Sequence, residues 1–350
     1  MAASSLRTGK LISPALLAGL VVILSTCAEQ EPPRVLVGWG EFAPLPEHRV
    51  VRLLLGGDVM LARKVGAECE RRGDQAWPFR EIAELTNAAD LFCCNLESLF
   101  SERPLSRPPH LLFQLPAERL TALTAAGVDA VCLANNHTGN VGAAGVVFSR
   151  ELLEGAGIAC AGAGRNLAEA HRPALFEQGG RRIALLAYTA LASLTAGPDS
   201  PGHTAWGYDV LERDIAALPA DIDLLIVSHH AGVEYNPGST ALQRAFAQRA
   251  VELGADVVLG HHPHVLEPVE VVEGAVVCHS LGNLVMDQPW NPDTEYGALV
   301  ELRCRDGAIR RLVVHPLHLS ADYQPLPADA DQTAEVLRRL GLNEACLVVD

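Results

Sequence analysis

Aromatic residues make up only 5% of this 350-residue chain, and its 27 Lys and Arg are outnumbered by 42 Asp and Glu. With so few large rings, and with Ala, Leu, Val and Gly in abundance, the composition fits closely packed α/β layers rather than a small disulfide-stapled scaffold. The formal charge of −15 excludes a nucleic-acid-binding surface, and no stretch forms a basic stripe. It also opposes loose adsorption of a polyanion, so an anionic ligand would need a local positive centre such as a metal. Neither CxxC nor zinc-ribbon spacing occurs among the nine cysteines. Apart from Cys27, they are Cys69, Cys93, Cys94, Cys132, Cys160, Cys278, Cys304 and Cys346. Several fall in apolar runs, where Cys behaves as a small buried hydrophobe, although one or two disulfides stay open in an oxidising compartment. No internal repeat is present. With 49% hydrophobic residues, the chain can bury a sizeable core in one large domain.

Arg7 and Lys10 followed by the mostly apolar stretch Leu11 to Leu24 form a leader too short for a comfortable membrane span. Leu24-Ser25-Thr26-Cys27 resembles a bacterial lipobox, in which the signal is cut before a cysteine that then carries lipid; Thr26 stands where Gly or Ala is usual. Lipidation, a retained N-terminal anchor and soluble export all remain open, and each places the domain outside the cytoplasm. The expected organisation is a leader over 1–27, a Pro-rich tether over 28–48, a folded domain over 49–325 and a C-terminal helix and tail over 326–350.

Short Val-, Leu- and Ile-rich runs alternate with longer amphipathic segments through the domain. Val50 to Leu55, Leu91 to Cys94, Ala130 to Leu133, Ile183 to Tyr188, Leu224 to Ser228, Val257 to Leu259 and Val276 to Cys278 are predicted strands. Phe79 to Asn87, Ala117 to Ala126, Ala143 to Glu154 and Thr240 to Leu253 are predicted helices. Continuous apolar strands separated by helices predict sheets covered on both faces. Ala298 to Cys304 and Leu312 to His315 have no helix between them and read as an antiparallel addition.

Each polar motif falls at the C-terminal end of a predicted strand, where open α/β sheets bind ligands. Gly57-Asp58, Asn95-Leu96-Glu97, Ala134-Asn135-Asn136-His137, His229-His230, Gly260-His261-His262-Pro263-His264 and Ser280-Leu281-Gly282-Asn283 occupy these positions. Five of the 13 histidines lie between His229 and His264, against about one from an even spread. Carboxylates, an amide and imidazoles at successive strand ends predict a metal centre of Asp58, Glu97, Asn136, His230, His262 and His264, and the mixed N and O donors suit Mn, Fe or Zn. His137 is the candidate proton donor, and Glu234 would orient a ligand or touch substrate. Asn95, His261, Ser280 and Asn283 are candidate substrate contacts, the plainer role of Ser280 and Asn283 being to end a strand. Arg63 and Lys64 read as an exposed helix start.

These motifs in this order, from about Val50 to Asp287, resemble the CapA family, proteins linked to bacterial poly-γ-glutamate capsule synthesis whose domain is similar to calcineurin-like metallophosphatases. The resemblance implies an α/β fold, a four-layer αββα sandwich with mixed sheets, and a remnant or working metallophosphatase site. Asn136-His137 falls where those enzymes have an Asn ligand and a catalytic His, and His262-Pro263-His264 resembles their paired ligands. Gly57-Asp58 stands where they carry Asp-x-His, and Asn95-Leu96-Glu97 where they carry Gly-Asp-x-x-Asp, so the first metal position is altered. Within the CapA pattern Asn140 replaces Asp, which bears on hydrogen bonding behind the site, while Ala231 replaces Trp and Leu284 replaces Phe, changes expected at the pocket rim.

Two functions are compatible with this sequence. One is an extracytoplasmic metal-dependent hydrolase or transferase acting on the glutamate polymer or on a phosphoester. The other is a non-catalytic subunit that binds a polymer end or the membrane-bound synthase. The implied partners are an anionic polymer or phosphoester, capsule synthase components, and the membrane through the N-terminal lipid or leader.

Overall fold

The computed structural model describes residues 21–24, 35–38, 50–102 and 113–342. Cys27, Cys346 and most of the expected leader and tether lie outside the described residues. Two mixed sheets stack face to face. The first contains β1 (Val51–Val59), β2 (Leu91–Leu96), β3 (Ala130–Cys132) and β4 (Ala159–Ala161), all parallel. The second contains β5 (Ala174–Gln178), β6 (Arg181–Thr189), β7 (Leu224–His230), β8 (Val257–His261), β9 (Leu266–Val272) and β10 (Ala275–Leu281). Its spatial order is β5-β6-β7-β8-β10-β9, parallel at the centre and antiparallel at both edges. The chain then returns to the first sheet through β11 (Asn283–Val285), β12 (Tyr296–Arg305) and β13 (Ala308–Leu319). β12 runs antiparallel to β1, and β13 antiparallel to β12, as the absence of an intervening helix predicts. Two four-residue strands, Val21–Leu24 and Val35–Gly38, extend this edge.

Period-two alternation explains why the strand sequences are continuously apolar. Leu53 and Leu55 point between the sheets to meet Leu185, Ile226 and Leu259, whereas Leu54, between them, faces Val65 and Leu123 on the outer helices. The outer face of the second sheet is covered in the same way, with Leu225 and Val258 against Leu211, Phe246 and Ala250. Helix, sheet, sheet and helix therefore form four layers, as the resemblance implies. Each fully buried Leu contributes about 2 kcal/mol.

Helix starts follow local chemistry. Helix α1 (Ala241–Glu252) opens with a reciprocal Thr240–Gln243 capping box, and α2 (Ala330–Arg339) with Asp329–Gln332. Helix α2 sends Val336 and Leu337 into the core between the sheets, so this C-terminal element is docked. The predicted helices at Phe79 and Ala117 begin instead as 3-10 turns, Trp77–Ile82 and Ala117–Arg119, before becoming α-helical at Ala83 and Leu120. Pro78 and Pro116 stand at these starts, and each removes a backbone donor. The strands run further than predicted: β7 continues through His229 and His230, and β8 through His261, because their backbones stay paired in register, His230 beside His261.

Candidate metal centre

Gly282 is the crossing point between the sheets, since β10 belongs to the second and β11 to the first. At φ +67° it turns the chain, and its carbonyl accepts a hydrogen bond from Asp58 N–H at 3.0 Å. A Cβ on Gly57 would stand 2.0 Å from that same oxygen, so only glycine permits the approach. The Gly57-Asp58 and Ser280-Leu281-Gly282-Asn283 motifs are thus two sides of one contact. It brings carboxylates from the first sheet against imidazoles from the second.

Two trios of donor atoms result. Asp58, Glu97 and His230, all buried, form one; the buried His262 and His264 with the exposed Glu234 form the other; within each trio the ligand atoms lie within 4.8 Å of one another. Glu97 links them, its Oε1 3.8 Å from His230 Nε2 and its Oε2 4.0 Å from His264 Nε2. The donor set fits a divalent cation: Glu97 Oε2 and His262 Nδ1 are buried without a hydrogen-bond partner, a costly arrangement that coordination would relieve. The loop that presents the two histidines is strained, with His262 at φ +101° and His264 at φ +60°. It is tied down by His262 N–H donating to Asp58 Oδ2 at 3.2 Å and by Tyr235 N–H donating to the Pro263 carbonyl at 2.8 Å.

Other predicted residues surround the trios at different depths. Asn95 lies beneath, its amide donating to Asp58 Oδ1 at 2.7 Å and to His230 Nδ1 at 3.3 Å. Asn136 Oδ1 accepts from His230 Nε2 at 2.9 Å, which fixes that tautomer. Asn283 Oδ1 accepts from His264 Nδ1 at 3.0 Å. His261 has its Nδ1 3.4 Å from Asp58 Oδ1, and Ser280 Oγ accepts from Gly282 N–H. Asn95, His261, Ser280 and Asn283 are all buried behind the donor atoms rather than facing the opening. Of the predicted residues around the trios, Glu234 is exposed, and His137 and Asn136 are half-buried.

His137 is gripped by residues that pattern reasoning missed or assigned elsewhere. Phe113 stacks on its ring at 3.5 Å, and the Arg63 guanidinium lies 4.6 Å above the Phe113 centroid. Arg63 is half-buried and ion-paired with Asp287, so it belongs to the site wall and is not the exposed helix start expected. Asn140 Nδ2 donates to His137 Nδ1 at 2.9 Å, leaving Nε2 as the N–H, 3.9 Å from Glu97 Oε2. Asn135 donates to Asn95 Oδ1 and accepts from His137 N–H, coupling the two motifs. Its position inside the Asn135-Asn136-His137 run was the only sequence signal for it. Ala231 and Leu284, expected at the rim, are instead buried. Strand alternation turns Leu284 inward, where it packs in the core beside Phe92.

The electrostatics separate these groups sharply. Burial opposes ionisation of Asp58, yet hydrogen bonds and charge from His261 and His264 outweigh it and hold that carboxyl well below its usual range. Burial, reinforced by Asp58 and Glu234, pushes Glu97 up to about 8. Burial works against protonation of His264 as well, but the neighbouring Glu97 and Asp58 raise it to about 9. Desolvation followed by repulsion from His264 and Arg63 drops His137 to about 3, and desolvation with His264 drops His262 to about 4. At neutral pH the metal-free site therefore rests as an Asp58–His264 ion pair beside a protonated Glu97 and neutral His137, His230 and His262.

A sizeable cavity lies elsewhere. About 560 Å³ in volume, it opens at the other end of the sandwich between Val51, Leu53, Ile183 and Leu224, near the N-terminal ends of the parallel strands. In its lining Arg181 pairs with Asp223 and Asp306, Asp90 accepts from Arg52 N–H, and burial keeps the Cys304 thiol protonated.

Residues 52–288 match the family described as "Bacterial capsule synthesis protein PGA_cap". The chain belongs to this capsule synthesis family. Its family relatives include the "Capsule biosynthesis protein CapA" of Bacillus anthracis, 30% identical over 78% of this chain and 68% of the relative. The "PGA biosynthesis protein CapA" of Bacillus subtilis is 28% identical over 81% of this chain and 76% of its own length. A Mycobacterium tuberculosis relative named "Probable polyglutamine synthesis accessory protein" is 31% identical over 66% and 65% respectively. The family match spans every strand-end motif of the metal-type centre, from Asp58 to Asn283.

Proposed function

We propose that this family member acts outside the cytoplasm in the synthesis, export or attachment of a poly-γ-glutamate capsule, as a metal-dependent hydrolase or transferase on the polymer. The carrying observation is the pair of donor trios with unpartnered buried ligand atoms, in a chain whose relatives are named for capsule and polyglutamate synthesis. Asp58, Glu97 and His230 would hold one cation and Glu234, His262 and His264 a second, with Mn, Fe or Zn suited to this donor set. Such a metal supplies Lewis acidity toward an anionic or carbonyl oxygen. His137 presents its Nε2 beside Glu97, and burial first, then His264 and Arg63, keep it neutral in the metal-free protein. As the candidate general acid, His137 would have to gain a proton in the complex, which a bound anionic group favours and burial opposes. Glu234, at the mouth, is placed to orient the incoming group. The lipobox-like Leu24-Ser25-Thr26-Cys27 supports anchoring at the membrane, where synthase components would be met.

Metal analysis of the purified protein, paired with His262→Ala and His137→Ala, tests the reading. Loss of metal in the first only, with loss of turnover of γ-linked glutamate chains in both, is the expected result. Undiminished capsule output with both variants would sink it. A non-catalytic accessory role is the second reading, favoured by the name of the mycobacterial relative and by the altered first metal motif. It predicts that His262→Ala abolishes polymer binding while no condition yields turnover. A phosphoesterase acting on a small phosphoester is a third, and it predicts hydrolysis of such a compound by the metal-loaded protein.

A further inference from the structure

Among the described residues, the two most exposed large apolar side chains are Trp290, at 61%, and Val233, at 54%. Trp290 is not isolated on the surface, because it bonds Tyr235, and Val233 lies in the same loop as Tyr235. Val233 lies two residues before it, in a turn closed by Asn236 N–H donating to the Val233 carbonyl, and the Trp290 indole N–H donates to the Tyr235 hydroxyl at 3.3 Å. Tyr235 sits at φ +64°, an uncommon conformation for a residue with a bulky side chain, and its ring centroid is 6.3 Å from that of His264. Glu234, a member of the second trio, lies between Val233 and Tyr235 in sequence. The loop carrying Trp290 is fixed to the same centre from its other side. Asn283, which bonds His264, also donates to Gln288 Oε1 and to the Thr294 carbonyl, and Thr294 Oγ1 donates to the Gln288 and Asn291 carbonyls. An indole held in water by a hydrogen bond from one side and a clamped loop from the other is preorganised to be covered by a ligand.

We propose that Trp290, Tyr235 and Val233 form a ledge that holds the backbone of an extended, amide-linked carboxylate polymer as it enters the metal-type pocket, and so select a chain over a small phosphoester. This rests on the polymer reading given above and names how that polymer is recognised. The ledge itself presents indole, phenol and isopropyl groups and no cation, so it has no means of pairing with carboxylates. With a formal charge of −15, the protein as a whole repels a polyanion. What such a surface can grip is the uncharged part of the chain. Planar amides stack on an indole face and methylenes lie against Val233, while the carboxylates point to solvent. A small phosphoester bound between the trios would have no atoms extending to the ledge.

The test is calorimetric titration of the metal-loaded protein with a γ-linked glutamate decamer and, separately, with inorganic phosphate. The variants are Trp290→Ala, Trp290→Phe and His262→Ala, and metal content is measured for each. Trp290→Ala is expected to weaken the decamer about tenfold, the scale of losing one aromatic anchor, with metal content and phosphate affinity unchanged and with Trp290→Phe recovering most of the loss. If Trp290→Ala binds the decamer as the wild type does while His262→Ala does not, the ledge is refuted and the polymer reading of the pocket survives. If the wild type fails to bind the decamer but binds phosphate, the polymer reading falls and the ledge with it. Equal weakening of phosphate and decamer by Trp290→Ala would also refute the ledge, since it would mean that the pocket itself had been disturbed.

Discussion

Replacing Glu97 with Gln should stabilise the metal-free protein, and increasingly so as the pH rises. Glu97 is fully buried, and its carboxyl is raised from an ordinary 4.5 to about 8. The folded state therefore keeps a proton that the unfolded chain gives up above about pH 4.5, so this group lowers stability progressively from there to about pH 8 and by a constant amount beyond. At about 1.4 kcal/mol per pH unit, the cost is about 3 kcal/mol at pH 7 and approaches 5 at pH 8. Glutamine has nearly the same shape, can still accept from Asn95, and never ionises. Its amide faces His264 and forfeits part of the gain, so roughly 2 kcal/mol or more should survive at pH 8, or about 4 °C in Tm for a domain of this size. Thermal unfolding of EDTA-treated wild type and Glu97→Gln from pH 5 to 9 gives the answer directly. The curves should meet near pH 5 and diverge upward. Added manganese or zinc should then reverse the order, because the metal raises the wild-type Tm and finds an incomplete ligand set in the variant. A gap that stays constant with pH, or widens toward pH 5, would refute the reasoning, since it would mean that Glu97 is not held protonated by burial.

Three other outcomes follow from the same coordinates. His264→Ala removes the cation facing Asp58 and should cost about 3 kcal/mol or more in urea unfolding of the metal-free protein. Because His264 is raised from 6.5 to about 9, that penalty should be full below pH 6.5 and fade as the pH passes 9. Gly57→Ala would drive a methyl into the Gly282 carbonyl and should abolish soluble, metal-binding protein, which near-UV circular dichroism and metal analysis would both register. The seven described cysteines are free and buried, and desolvation raises the thiols of Cys132, Cys160, Cys278 and Cys304 to about 12. None of the seven should react with Ellman's reagent before denaturant unfolds the chain; rapid labelling in native buffer would contradict their placement.

The architecture was legible because its determinants are local. An apolar run of strand length bounded by turns identifies itself, and the missing helix between Leu302 and Leu312 announced the antiparallel edge. Strand ends were less legible, since whether Asp58 or His230 closes a strand depends on a neighbour that sequence does not show. The donor residues were readable from their positions at strand ends, but their depth was not. Asn95 and His261 sit beneath Asp58, and Ser280 behind the Gly282 turn, because pleating and the sheet crossing decide which side of a motif faces out. Phe113 and Arg63 escaped notice for a related reason. Their contact with His137 joins residues far apart in sequence through a ring stack, and neither residue type in its place carries a pattern that reports it.

The division of the Asp58, Glu97 and His230 trio between two sheets would give a bound metal a structural as well as a chemical consequence. Asp58 and Glu97 come from the first sheet and His230 from the second, so their trio is complete only when the sheets are in register at Gly57 and Gly282, whereas Glu234, His262 and His264 all follow strands of the second sheet. In the metal-free state that junction brings a protonated carboxyl, an ion pair and unpartnered imidazole nitrogens into a dry interior, each of which opposes the packing of Leu53, Leu55, Ile226 and Leu259 nearby. A cation held by Asp58, Glu97 and His230 would lower those costs, since it would favour the ionised form of Glu97. Stability of the sandwich and readiness of the pocket would then be one equilibrium, in which whatever strengthens binding of a cation by the Asp58, Glu97 and His230 trio also strengthens the contact between the sheets.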